Sequence, residues 1–105
     1  MTNLYTPLNE GYRQLLKGIA TDYKEEPLYD GLHYVAHFNN GYGISIIKHL
    51  NSDGHESDLW EIAVLKGNEI CYDTDLASDV IGWLTDEEVL TYAMKIDAFD
   101  PLKGE

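Results

Sequence analysis

"LHYVAHFNNGYGISIIKH", residues 32–49, decides the fold. Two apolar runs with a period of two flank Asn40-Gly41, a dipeptide suited to a two-residue turn with both residues at positive φ. Such a turn pairs Phe38 with Gly43, Ala36 with Ser45 and Tyr34 with Ile47. The same grammar recurs downstream, where "LWEIAVL" and "ICYDT" are separated by a second turn signal, Gly67-Asn68, pairing Leu65 with Ile70 and Ala63 with Tyr72. A polar loop, "LNSDGHESD", joins the two hairpins, so the middle of the chain reads as a four-stranded antiparallel meander.

Outward from the meander the period changes. In "PLNEGYRQLLKGIA", Leu8, Tyr12, Leu15, Leu16 and Ile19 form the stripe of an amphipathic helix. "TDYKEEPLYDG" has no period and contains Pro27 and Gly31, so it reads as a loop. Leu76 to Leu84 reads as a short helical or turn segment. "LTDEEV" then holds a capping box, Thr85 with Glu88, with Leu84 and Val89 as its hydrophobic staple. Val89, Ala93 and Ile96 mark one face of a helix that must end before Pro101. The expected architecture is one α+β domain over residues 1–105, a four-stranded antiparallel meander flanked by an N-terminal and a C-terminal helix.

In the second hairpin one face carries Trp60, Ile62, Val64 and Cys71, and the other Leu59, Ala63, Leu65, Ile70 and Tyr72. Both are largely apolar, whereas a meander with helices on one side should have a polar second face. Either the helices cover opposite faces, or one face meets another chain, a homodimer being the simplest case.

Composition bounds what the chain can do. At 105 residues, 44% hydrophobic and with eight Tyr and two Trp, it has the apolar content to fold, unlike a disordered acidic tail. The formal net charge is −12, and residues 52–105 carry −11 of it. Direct nucleic-acid binding is disfavoured, because phosphate affinity comes from Lys and Arg; a basic partner is favoured instead. No apolar run approaches the roughly 18 to 20 residues of a membrane span and no leader pattern opens the chain, so the expected location is the cytoplasm. The lone Cys71 gives neither an internal disulfide nor a cysteine-based zinc site.

Catalytic and cofactor motifs are absent. Ser45, Ser52, Ser57 and Ser78 sit in no nucleophile elbow, Cys71 falls in an apolar strand, and "GYG" is turn chemistry rather than a phosphate loop. No catalytic residue, cofactor or metal is therefore expected. Asp73, Asp75 and Asp79 have the oxygen ligands of a hard-cation site. They equally suit a strand exit followed by a helix N-cap at Asp75 or Ser78. The nearest approach to a calcium loop fails, with His49 and Trp60 at its first and twelfth positions. His33 and His37 share a strand face about 13 Å apart, too far to hold one ion. Asp86, Glu87 and Glu88 suit the first turn of a helix, yet few bases follow them to offset the charge.

"NGYGISIIKH" followed by "DLWEIAVLKGNEICYDTDLASDVIGWLTDEEV" resembles small acidic uncharacterised proteins of tailed bacteriophages, which share a "GYGxSxI", "LWE[IL]AVL" and "YDTxxxxDVIG" pattern. The resemblance covers roughly residues 39 to 96, and "DTDLASD" departs from it in lacking the more usual proline after "DT". It implies a setting, a phage product made inside a bacterial cell, and no activity. There, an acidic chain can compete for the basic groove of a host nucleic-acid-binding protein, such as a CRISPR-Cas effector, by resembling the charge of DNA. Asp73, Asp75, Asp79, Asp86, Glu87 and Glu88 are the expected contacts, with Tyr72 and Trp83 as apolar anchors. The alternative is a small dimeric accessory or structural phage protein without catalytic activity.

Overall fold

The structure, a computed structural model, describes residues 5–28, 31–71 and 80–101. Its elements run α1 (Glu10–Ile19), β1 (Asp22–Leu28), β2 (Gly31–His37), β3 (Tyr42–Lys48), a 3-10 turn (His55–Ser57), β4 (Trp60–Lys66), β5 (Glu69–Ile70), β6 (Ile81–Leu84) and α2 (Asp86–Asp97). All strand pairs are antiparallel, in the order β1-β2-β3-β4-β5, and β6 also pairs with β4. The fold is α+β with a helix near each end, but among the described residues the sheet has six strands rather than four.

Both additional strands lie where periodicity was weak. β1 occupies the stretch expected to be a loop; it pairs with β2 from Asp22↔His37 to Leu28↔Gly31. A strand at the edge tolerates Pro27 and a run of charges, because one side of its backbone needs no partner. β6 replaces part of the expected helical or turn segment, pairing Trp60 with Leu84 and Ile62 with Ile81 around a bulge. Four residues interrupted by Gly82 are too few to display a period.

The first hairpin is offset from expectation by one residue. Ala36 pairs with Ile44 and Tyr34 with Ile46. The Phe38 amide donates to Tyr42 O and the Gly41 amide to Phe38 O, so the loop is three residues long with only Gly41 at positive φ, 91°. This is a turn closed by a left-handed glycine. A one-residue slip decides which side chains face the core. Ile44 and Ile46 are buried there, in place of the Ser45 and Ile47 that a two-residue turn would have put opposite Ala36 and Tyr34. The second hairpin keeps the expected register, Leu65↔Ile70, with Gly67 at φ 63°; the expected partner Tyr72 lies outside the described residues.

One face of the sheet makes the core. Tyr34, Ala36, Phe38, Ile44, Ile46, Trp60, Ile62 and Val64 are buried in one cluster with Leu8, Leu16, Val89, Ala93 and Ile96. α2 lies on β3 and β4, and α1 lies against α2 and β1, so both helices cover the same face. α1 is capped by Asn9, whose side chain accepts from the Gly11 and Tyr12 amides, and it buries Leu16 while Leu15 of the expected stripe stays 54% exposed. α2 carries the capping box as read, with Val89, Ala93 and Ile96 buried. Asn40 ties the first hairpin to the end of α2, donating from its side-chain amide to Ile96 O, Asp97 O and Phe99 O.

Candidate protein-binding site

Both helices start at the same end of the molecule. The Asn9 amide, at the entry to α1, donates to Asp86 Oδ2 at the entry to α2 over 2.9 Å. The loop between β3 and β4 joins them there. The Thr6 amide donates to Asp58 Oδ1 at 3.0 Å, and the Trp83 amide donates to Asp53 O. Gly54, at φ 99°, lets this loop lie against β6: a Cβ in its place would be 3.0 Å from the Trp83 backbone.

This convergence collects carboxylates. The helix starts contribute Glu10, Asp86, Glu87 and Glu88, and the loop contributes Asp53, Glu56 and Asp58. Among the described residues the Lys at this end is Lys48, and it is 1% exposed. Its ammonium donates to Thr6 O and to Asp58 Oδ1, each at 3.0 Å, and sits 3.9 Å from the centre of the Trp60 ring. A cation on an aromatic face, paired and hydrogen-bonded, is an acceptable form of buried charge. For Asp58, burial acts to raise the pKa, but hydrogen bonds from Thr6 and the Lys48 ammonium outweigh it and hold the carboxyl below its ordinary value. The base that would neutralise the acidic end is thus turned inward and already used.

The expected contact residues separate here into two kinds. Asp86 is occupied: Oδ1 accepts from Trp60 Nε1 at 2.7 Å while Oδ2 accepts from Asn9. Glu88 closes the capping box, its Oε1 accepting from the Thr85 amide at 2.9 Å. Glu87 is exposed in the first turn of α2. Trp83 is 56% exposed and holds φ 63°, a conformation costly for a bulky side chain. Its amide is bonded to Asp53 O, which places its backbone beside the acidic loop. Tyr72, Asp73, Asp75 and Asp79 lie outside the described residues.

Sequence reasoning missed Lys48, Asp53, Glu56, Asp58 and Glu10 as members of this end. For Lys48 there was a signal. It is in phase with Ile44 and Ile46 on β3, so any register that buries those isoleucines points the lysine inward. The loop acids gave no such signal, since their position depends on Gly54 and on β6.

The opposite face of the sheet holds a groove of about 300 Å³ lined by Val35, Leu65 and Ile70 with Lys24, His33, His37 and Ser45 among its polar members. His33 Nε2 and Ser45 Oγ are hydrogen-bonded at 3.0 Å, and His37 Nε2 meets Gly67 O at 3.0 Å. Burial lowers the His33 pKa, with Glu26 opposing and His49 assisting the shift. Among the described residues no group of three His, Cys, Asp or Glu side chains could hold a metal ion, and no helix is long and apolar enough to cross a membrane. No protein-family model matches the sequence, and neither the curated proteins nor the solved structures contain a match.

Proposed function

We propose that this chain is a non-catalytic, phage-encoded inhibitor that inserts its acidic end into the basic groove of a host nucleic-acid-binding protein, a defence nuclease such as a CRISPR-Cas effector being the intended target. One observation carries the reading: carboxylates from two helix starts and one loop are gathered at a single end, while Lys48 is buried under Trp60. A display of carboxylates that outnumber the bases beside them suits a channel shaped for phosphates. Trp83, 56% exposed, supplies an apolar anchor whose burial in the partner adds what charge alone lacks.

The division of labour among the acids sets the test. Replacing Asp86 or Glu88 would damage the fold, so the informative variant changes Glu10, Glu56 and Glu87 to Gln together. Tagged protein is used to capture partners from a nuclease-treated bacterial lysate, and the captured proteins are challenged with duplex DNA and with salt. Capture of a DNA- or RNA-binding protein that is displaced by duplex, weakened by salt and lost in the triple variant supports the reading. Capture that ignores all three, or a folded variant that binds as well as the wild type, removes it.

A second reading, a small dimeric accessory protein, has its own support. The sheet face away from the helices mixes Val35, Leu65 and Ile70 with polar groups, Ile70 is 45% exposed, and among the described residues no helix lies over it.

A further inference from the structure

Residues 5–9 belong to neither helix nor sheet, and side chains from elsewhere in the fold hold their backbone. The Thr6 amide donates to Asp58 Oδ1, and Thr6 O accepts from Lys48 Nζ, each at 3.0 Å. The Leu8 amide donates to Tyr34 Oη at 3.3 Å and the Asn9 amide to Asp86 Oδ2 at 2.9 Å. These four side chains come from the loop after β3, from β3, from β2 and from α2.

Three of the four share a neighbour. The rings of Tyr34 and Trp60 are 5.6 Å apart between centroids, Lys48 Nζ is 3.9 Å from the Trp60 ring centre, and Asp86 Oδ1 accepts from Trp60 Nε1 at 2.7 Å. The fourth, Asp58, reaches the indole through Lys48. Each of the four bonds is therefore anchored on one buried side chain. Groups aligned by a common partner keep or lose that alignment together, so the bonds are coupled.

The segment also ends where it can part from the body without damage to α1. Asn9 caps that helix with its own side chain, which accepts from the Gly11 and Tyr12 amides, so the cap survives when the Asn9 amide leaves Asp86. Thr6, Pro7 and Asn9 are exposed, and what opening must uncover is Leu8 and Tyr5. That is a small apolar area set against the freedom returned to five residues, whereas opening the sheet uncovers the whole core.

We propose that residues 5–9 are a strap that opens and closes as one unit on a folded body, latched by the partners of Trp60. Closed, it joins Asp58 of the loop to Asp86 of α2, and so holds the two halves of the acidic end as one surface. Open, it releases that tie and uncovers the Lys48 ammonium and the Tyr34 hydroxyl. This motion belongs to the chain itself, whatever the acidic end binds.

Native-state hydrogen exchange on the full chain, read by NMR, tests it. The Thr6, Leu8 and Asn9 amides are expected to share one opening constant, roughly a hundredfold or more above that of the amides of β3, which is paired on both sides. That constant is expected to depend little on denaturant, because a small opening exposes little surface. Tyr34→Phe removes the acceptor of the Leu8 amide and is expected to raise exchange about fivefold at all three amides. Asp58→Asn keeps an acceptor oxygen but loses the charge that pairs with Lys48, and is expected to act in the same direction on Leu8 and Asn9, which it does not touch. Protection retained in β3 shows in the same spectra that a variant is folded. Three amides that exchange only with β3, three unrelated opening constants, or a folded variant whose effect is confined to the amide that lost its acceptor would each overturn the proposal.

Discussion

The two faces of one sheet take alternate residues of the same strands and solve opposite problems. On the helix side, Tyr34, Ile44, Ile46, Trp60, Ile62 and Val64 are buried without interruption, and the one cation among them is held by an aromatic ring, a carbonyl and a carboxylate. On the other side, apolar residues are fewer and the histidines and serine satisfy each other laterally. A core tolerates an ion only when every contact is supplied, while a partly exposed face can keep its polar groups paired with one another. The contrast teaches that alternate residues of the same strands can build a sealed core on one side and a laterally hydrogen-bonded polar surface on the other.

The sharpest way to break that contrast is at Trp60. Trp60→Ala removes the largest fully buried side chain and the surface on which Lys48 rests. It is expected to cost about 3–5 kcal/mol, measured by urea denaturation, and to leave the chain largely unfolded at room temperature.

Next in size is the buried ion pair, where direction matters more than magnitude. Lys48→Met replaces the cation with an apolar chain of similar length and is expected to stay within about 1 kcal/mol of the wild type. Asp58→Ala leaves the ammonium buried with a partner missing and is expected to cost about 2 kcal/mol or more. If the lysine variant proves the more damaging, the cation's packing on Trp60 matters more than its pairing.

Acid titration sharpens the comparison through one group on each side. On the open face, His33 has a folded pKa below its ordinary 6.5, so the unfolded chain takes up a proton that the folded chain refuses. Stability is therefore expected to fall as pH drops through about 6.5 and to level off below the folded value. On the helix side, Asp58 is depressed below its ordinary 3.8, so its contribution is present above that value and is lost as pH falls through the folded pKa. Chemical denaturation at intervals from pH 8 to pH 3 should show two separate declines, and His33→Gln should abolish only the upper one. The smallest effect is expected at Ile70→Ser, which at 45% exposure should alter monomer stability by no more than about 0.5 kcal/mol while weakening any association of the sheet face.

Most of the architecture was legible because it was written in periods. The amphipathic run ending at Ile19, the alternation on either side of Asn40 and Gly67, and the Thr85 capping box each announce one element, and each forms. What escaped had no period to announce it. β1 is a strand by virtue of its neighbour, β6 is four residues long with a bulge beside it, and the first hairpin was misjudged by one residue because Asn39 joins the loop. The acidic end was half legible. Thr85 and Glu88 placed the acids of α2 at a helix start, but nothing local predicts that Asp86 is engaged by Trp60, twenty-six residues away.

Asn40 carries one more consequence, for the order of events during synthesis. Its side-chain amide is 5% exposed and is satisfied by carbonyls 56 to 59 residues later in the chain. A nascent chain that has emerged only as far as β4 can form both inner hairpin strands, yet it must keep that amide in water, with Ile44 and Ile46 lacking their helical cover. The hairpin is made early and sealed late, so the interval before α2 leaves the ribosome is when this protein is most exposed to misassembly.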